Sequence, residues 1–340
     1  MTNIKKSNSK AVSRGDVARA AGVSATTVTH ALNPPANVRM NSETKQRVCR
    51  IACEMGYRPN FFGRSLVTGK SFAIGFLQPE YEALFMEFYQ HMAYGLASSM
   101  AKDDYNLLMA FKDKRKNYLK LIRQGRVDGM IVLQSKSTAD DLKEIAATGI
   151  PTIMLNQPDC IQLENCANII SDHQKLVNDI MEELIKRKRK NILCVNDYNF
   201  CVPNLCVFDA FQLKSKEFIK DGVKVAHLLP PEENFEKQIS NLLESGQRFD
   251  GIYIDGEELV EVYVRIAHKY GMECGKDYDL HISSVKPELS PADFDSPLTM
   301  HIQQGEKMGS QTWETMKKII NKEKFNKQIK IPYQLYFTGR

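Results

Sequence analysis

The chain has 340 residues, 43% of them hydrophobic, and a formal net charge of +5. That length suggests two or three domains. No apolar run approaches the roughly 18 residues a membrane-spanning helix needs, and the polar N-terminus lacks a signal-peptide core, so a cytoplasmic protein with reduced thiols is expected. The charge is unevenly spread: residues 1–70 hold five Lys and seven Arg against one Asp and two Glu (12 − 3 = +9), which leaves −4 for residues 71–340. A basic head on a mildly acidic body is the electrostatic pattern of a nucleic-acid binder.

In chain order, Ser13 and Asp16 form a capping-box-like start for a first short helix with Val17, Ala18 and Ala21 on one face. Gly22 supplies a turn, Ser24 caps the next helix, and Val28 and Leu32 recur at helical spacing. Two short helices joined by a Gly-containing turn form a helix-turn-helix. Ala25, Thr26, Thr29 and His30 are the expected outward positions of its second helix, small or hydrogen-bonding side chains that suit a DNA major groove. An ordinary helical hairpin is the plainer reading. A third helix is predicted over Ser42–Met55, with Gly56 as its stop.

Beyond residue 70 the pattern alternates. Strand-like runs are predicted at Phe72–Leu77, Met130–Leu133, Thr152–Leu155, Ile192–Val195, Gly251–Ile254 and Leu280–Ser283. Helices are predicted over about 84–102, 115–125, 138–148, 173–188, 207–221, 233–246 and 257–270. Short apolar strands alternating with helices imply parallel β-α-β sheets, here in two lobes of an α/β body behind an all-α head. The run Lys186–Lys190 reads as a solvated helix end.

Enzyme signatures are missing. Gly69-Lys70-Ser71 looks like the end of a phosphate loop, but Gly63 lies one residue too far back and the segment precedes a strand instead of following one. GxSxG, HExxH and GxGxxG do not occur, and no cofactor or metal is expected. The eight cysteines include no CxxC; Cys49 with Cys53, and Cys201 with Cys206, are the nearest pairs, read as buried or incidental thiols with a redox sensor as the alternative.

The segments Asp16-Val17-Ala18, Ala21-Gly22-Val23-Ser24, Thr27-Val28, Leu32-Asn33, Arg47-Val48 and Gly56-Tyr57-Arg58-Pro59-Asn60 through Arg64-Ser65-Leu66 resemble the lac-repressor-like (LacI/GalR) family of bacterial transcription regulators. The resemblance is strongest over 14–77 and continues through Asp128-Gly129, Gly149-Ile150-Pro151, Asp172, Leu298-Thr299 and Gly309. It implies a DNA-binding head at 1–58, a hinge helix and linker at 59–70, and a periplasmic-binding-protein-like body at 71–340. Lobe one would take about 71–171 and 297–329, and lobe two about 172–296 and 330–340, with crossings near 171, 296 and 330.

It also implies roles. Ala25, Thr26 and His30 would read bases, His30 standing where relatives often carry Arg. Ser24 would leave helix amides near a phosphate, and Thr27, Thr29 and Asn33 would touch phosphate or hold the fold. Asn60, Arg64 and Leu66 would serve a hinge helix that folds in the minor groove, Leu66 as an apolar wedge, with Gly63 where relatives often have Ala. Family effector contacts map to Phe85, Asn156, Asn204, Gly256 and Ser284, with Asp172 retained and Asp255 and Glu257 flanking. Because Asn204, Gly256 and Ser284 replace groups that grip sugar hydroxyls, a simple neutral hexose is not the expected effector. A different small ligand, a phosphorylated or amino sugar, or a partner protein remain open. The expected protein is a homodimeric repressor on a pseudo-palindromic operator, cytoplasmic and nucleoid-associated when bound, gated by a cleft ligand, or alternatively by a protein or redox signal.

Overall fold

The computed structural model describes residues 12–32, 39–58, 61–78, 86–133, 139–156, 163–196, 202–228, 234–286, 288–289 and 294–337; of residues 61, 62, 139 and 202–205 only the backbone is considered. The chain divides into two units, residues 1–70 and 71–340.

In the first unit, α1 (Arg14–Ala21) begins with a complete capping box: the Asp16 amide donates to Ser13 Oγ at 3.3 Å and the Ser13 amide to Asp16 Oδ2 at 2.8 Å. Gly22 ends the helix at φ 65°, a left-handed conformation that costs glycine nothing. Then follow α2 (Ala25–Leu32) and α3 (Ser42–Glu54), the latter capped by Asn41, whose Oδ1 accepts from the Glu43 amide at 2.9 Å. Val17, Val28 and Val48, one from each helix, meet in a small core completed by Ala18, Ala21, Ala31 and Ala52. The small alanines let three short helices approach closely. The fourth helix, α4 (Phe61–Thr68), falls within the expected hinge segment 59–70 and stops at Gly69, φ 66°.

The second unit contains two six-stranded sheets. The first has the order β11-β5-β4-β3-β1-β2 and is parallel throughout; its strands are β1 (Ala73–Gln78), β2 (Asn106–Phe111), β3 (Gly129–Leu133), β4 (Thr152–Leu155), β5 (Cys166–Ser171) and β11 (Gln328–Ile331). The second has the order β12-β10-β9-β8-β6-β7, from β6 (Asn191–Val195), β7 (Lys224–Leu228), β8 (Gly251–Asp255), β9 (Asp279–Ser284), β10 (Thr299–Ile302) and β12 (Gln334–Phe337). Only the edge strand β12 is antiparallel, pairing Thr299 with Phe337. Helices α5 (Glu87–Ala101), α6 (Asn117–Arg123), α7 (Ala139–Ala147) and α12 (Gly305–Ile320) belong with the first sheet, and α8 (His173–Lys186), α9 (Val202–Phe218), α10 (Phe235–Glu244) and α11 (Val260–Lys269) with the second.

Each sheet is covered on both faces, which is why the central strands read as unbroken apolar runs. Ile74, Phe76, Ile131 and Ile153 pack with Met92, Leu96 and Trp313 of α5 and α12, while Leu77, Met130 and Val132 pack with Tyr118 and Leu142 of α6 and α7. The edge strands β2, buried only at Ala110, and β7, exposed or half-buried throughout, carry a weaker pattern and were not predicted; nor were β5, β10, β11, β12 and α12.

Two expectations are corrected. The second crossing between lobes lies at Gln303–Gln304 and not near 296, because Leu298–Ile302 stays in lobe two, where β10 pairs in parallel with β9. The third follows β11, at Pro332–Tyr333, two to three residues beyond 330. The run Lys186–Lys190 is not simply a solvated end: Arg187 and Arg189 bind the two oxygens of the largely buried Asp279 at 2.9 and 2.8 Å, tying the end of α8 to the start of β9.

The returning helix α12 crosses α5 at glycines. A Cβ on Gly309 would stand 2.1 Å from the Met92 carbonyl oxygen, and one on Gly95 2.2 Å from that of Glu306. Among described residues no helix is long and apolar enough to cross a membrane.

Candidate functional sites: the helical head and the interlobe cleft

In the head, Ser24 caps α2. Its Oγ accepts from the Thr27 amide at 3.0 Å and lies 2.8 Å from Thr27 Oγ1, so Thr27 is committed to the cap. Thr29 likewise serves the fold: Arg14 donates to its Oγ1 at 3.0 Å, and that hydroxyl donates to the Ala25 carbonyl at 3.1 Å. Of the four positions expected to face outward, Thr26 is exposed, while Ala25, Thr29 and His30 are half-buried; Ala25 also packs on the head core. Asp16, hydrogen-bonded first by Ser13 and then by Arg19, is held at a pKa of about 2, and so keeps a negative charge at the start of α1.

On α4 the apolar side chains of Leu66 and Val67 are 88% and 86% exposed, the placement an apolar wedge requires. Asn33 and Asn60 lie outside the described residues. Gly69-Lys70-Ser71 sits between α4 and β1, and Ser71 is spent on Asp128, whose carboxylate accepts from the Ser71 amide, the Ser71 hydroxyl and the Phe72 amide at 2.7 to 2.9 Å. It is no phosphate loop. Cys49 donates weakly to the Ala31 carbonyl, with sulfur to oxygen at 3.8 Å, while Cys53 is exposed; Cys201 lies outside the described residues.

In the body, a cleft of about 350 Å³ opens between the lobes at the carboxyl ends of the strands, where ligands bind in open α/β sheets. The start of α5 lines one wall with Glu87, Phe88 and Tyr89. The other wall comes from the ends of β8 and β9 and the crossing segments: Asp255, Glu257 and Glu258, Ser283 and Ser284, Lys286, Gln303 and Tyr333. Four expected positions are therefore in it: Asp255, Gly256, Glu257 and Ser284. Tyr253 donates to Ser283 at 3.0 Å, and Ser283 donates to Asp255, so the carboxylate is oriented from beneath. Glu257 pairs with Lys286 at 2.5 Å; Glu257 first, then the charges of Glu87 and Glu258, hold the Lys286 ammonium above its usual pKa. Ser284 Oγ accepts from the Lys286 amide at 3.1 Å.

Other expectations shift. Asn156, fully buried at φ 55° after β4, donates from Nδ2 to Tyr89 Oη at 3.3 Å and so acts beneath the lining. Asp172 caps α8 by accepting from the Lys175 amide at 3.2 Å, with Lys330 at 3.8 Å; it is a structural residue of the first crossing, not a lining one. Phe85 lies outside the described residues, and so does the side chain of Asn204.

Sequence reading missed Tyr89, Glu258, Lys286, Gln303, His173 and Tyr333. Tyr333 Oη lies 3.1 Å from Nδ1 of His173, whose pKa burial lowers to about 4. The lobes are joined by a bond from Gln303 Nε2 to Ser171 Oγ at 2.7 Å and by one from His91 Nδ1 to the Val285 carbonyl at 3.2 Å. No local motif marks these residues, since strands far apart in the chain bring them together. Among described residues, Gln78 Oε1, Asn156 Oδ1 and both amide atoms of Asn196, all buried at strand carboxyl ends, have no hydrogen-bond partner. Unpaired buried polar atoms cost about 1–3 kcal/mol each.

Comparison with known proteins agrees with both halves. Residues 15–60 match the family of bacterial regulatory proteins of the lacI type, and residues 71–339 match the periplasmic binding proteins and sugar binding domain of the LacI family. The regulator RegA of Clostridium saccharobutylicum is 24% identical over 93% of this chain and 95% of its own length. Catabolite control protein A of Priestia megaterium is 22% identical over 95% and 97%. Among solved structures, the lac repressor dimer bound to operator and an anti-inducer superposes with a TM-score of 0.69 at 17% identity, covering 96% of this chain and 98% of that one. The CelR–cellobiose complex gives 0.59 at 16% identity, covering 95% and 98%. The chain thus belongs to the lacI family of bacterial regulatory proteins and is a DNA-binding transcription regulator, not an enzyme.

Proposed function

We propose that the protein is a homodimeric repressor whose grip on a pseudo-palindromic operator is set by a small molecule in the interlobe cleft. The observation that carries this reading is the head: a capped α2 presenting Thr26, and α4 presenting Leu66, on a chain segment with nine excess positive charges (12 − 3). In this reading residues 1–58 are the reading head, 59–70 the hinge and 71–340 the effector and dimer body. Thr26 and His30 read base edges, with Ala25 limited to a methyl contact. Ser24, with Thr27 in its cap, presents the α2 amides to a phosphate; Asn33, Asn60 and Arg64 meet the DNA backbone or minor groove; Leu66 opens a base step.

Below the hinge, Asp255, Glu257 and Ser284 contact the effector, and Asn156 orients Tyr89 against it. The gating half draws support from the relatives: the lac repressor structure pairs operator with an anti-inducer, and CelR is seen with cellobiose. The protein would act wherever the DNA is, in a bacterial cytoplasm.

Selection of bound sequences from random DNA, followed by footprinting, tests the reading. A twofold dimer presents two identical helices, so an inverted repeat with half-sites about one helical turn apart, or a multiple of it, is expected. Full-affinity binding of a monomer to one half-site would refute the dimer.

A further inference from the structure

A cluster of ligating side chains stands where the two lobes meet, at the edge of the cleft. Glu87 and His91 lie four residues apart on α5, and so on one face of it. Glu288 comes from the segment that follows β9 in the other lobe. A carboxylate oxygen of each glutamate and a ring nitrogen of His91 all lie within 4.8 Å of one another. No sequence motif marks the site, because its third member stands some two hundred residues from the other two.

The histidine is already oriented. His91 Nδ1 donates to the Val285 carbonyl at 3.2 Å. A carbonyl oxygen only accepts, so Nδ1 carries the hydrogen and Nε2 keeps its lone pair. Metal-binding histidines are fixed in this way, by a hydrogen bond from the other ring nitrogen. The same bond ties α5 to the segment that carries Glu288. Val285 packs on the core of lobe one and Leu289 on the core of lobe two, so Glu288 stands between two anchored neighbours.

No hydrogen bond or ion pair joins the three side chains, and among the described residues neither glutamate has another direct partner. The nearby ammonium of Lys286 is taken by Glu257 at 2.5 Å. Two carboxylates and an imidazole nitrogen converging without a counter-charge suit a cation. Magnesium and calcium take oxygen ligands, whereas an imidazole favours the first-row transition ions. Ligands held at about 2.1 Å from one ion stand about 3–4 Å apart, so a small inward movement of the exposed Glu288 side chain completes the set. We propose that Glu87, His91 and Glu288 bind a divalent transition-metal ion, zinc in preference to manganese, that ties lobe one to lobe two, with water at its remaining positions. Because Glu87 also lines the cleft, the ion and a cleft ligand are linked, and the ion should alter operator affinity; that consequence alone rests on the cleft being the effector site.

The test uses full-length protein stripped of metal by chelation and titrated with zinc, manganese and magnesium. Binding is read by calorimetry and by thermal shift, with operator affinity measured separately by gel shift. Zinc should bind at one ion per chain and raise the melting temperature. It should bind at least about ten-fold more tightly than manganese, following the usual order of divalent affinities, and magnesium should not bind. Glu288→Gln, at an exposed position, and His91→Gln should each weaken zinc at least about ten-fold, the loss that even an outer-shell change causes. Cys53→Ser should leave zinc binding unchanged; it controls for the exposed thiol of the head.

Unchanged zinc affinity in Glu288→Gln, loss of zinc in Cys53→Ser, magnesium binding as tightly as zinc, or no zinc bound at sub-millimolar concentration would overturn the proposal. Zinc that binds as described and raises the melting temperature while leaving operator affinity unchanged would support the site and remove only its link to gating, so the two proposals fail separately.

Discussion

Replacing Gly309 with Ala is the sharpest test of how the body is assembled. Gly309 lies in α12 where it crosses α5. A Cβ there would stand 2.1 Å from the Met92 carbonyl oxygen and 2.5 Å from the Leu96 amide nitrogen. Both obstructing atoms are backbone within a helix, so no side chain can rotate away. Relief requires the helices to part by about 1 Å, since real carbon–oxygen contacts begin near 3.2 Å.

Such overpacking typically costs about 1–3 kcal/mol. Alanine recovers up to about 1 kcal/mol of helix propensity over glycine, but it cannot cancel a clash at the tightest point of the crossing, so a net loss of about 1–2 kcal/mol is expected. For a unit of this size that lowers the melting temperature by roughly 2–8 °C. Because α5 carries Glu87, Phe88 and Tyr89 into the cleft, the same displacement should weaken binding of any cleft ligand. Thermal denaturation of the variant beside wild type, and ligand titration of both, would measure the two effects. An unchanged or raised melting temperature would show that the two helices do not meet at this glycine.

Other substitutions separate the remaining roles. His30→Ala should cost about 1–3 kcal/mol on the preferred operator and relax one symmetric base position; an equal loss on every sequence, measured by competition gel shift, would make His30 a backbone contact. Gly63→Ala should tighten operator binding more than non-operator binding, since an exposed glycine in α4 raises the entropy lost when that helix forms; tightening both equally would argue against a hinge that folds on the operator. The buried His173, held at a pKa of about 4 against 6.5 when unfolded, stays neutral in the native state while the unfolded chain takes up a proton. Its stabilising contribution is complete above pH 6.5, declines as the pH falls toward 4 and amounts to about 3 kcal/mol over that window. A denaturation series from pH 7 to 4 should lose that slope in His173→Gln, and an unchanged slope would assign it to other groups.

The head was legible from the sequence because its determinants are local. Ser13 with Asp16, Gly22, and Ser24 at the cap act within three or four residues, and Val17 with Ala21, and Val28 with Leu32, follow helical spacing within their own helices. Six inner strands were legible too, since burial on both faces demands continuous apolar runs such as Ile192–Val195, whereas the equally buried β5 and β10, whose runs are interrupted by Asn168, Thr299 and His301, were missed. Edge strands β2 and β7, half wet, lack that signal.

What local pattern left undecided is where segments distant in sequence meet. The family resemblance placed Leu298–Ile302 in the wrong lobe, because which sheet a strand joins depends on a partner such as β9, not on its own residues. The resemblance also gave Asp172 to the ligand, although that carboxylate is spent capping α8. It passed over Tyr89, Lys286 and Tyr333, unremarkable in sequence until two sheets set their carboxyl ends face to face. Caps, turns and periodicity are nearest-neighbour physics and can be read along the chain. The cleft wall is assembled from side chains drawn from residues 86 to 333, and only the tertiary structure brings them together.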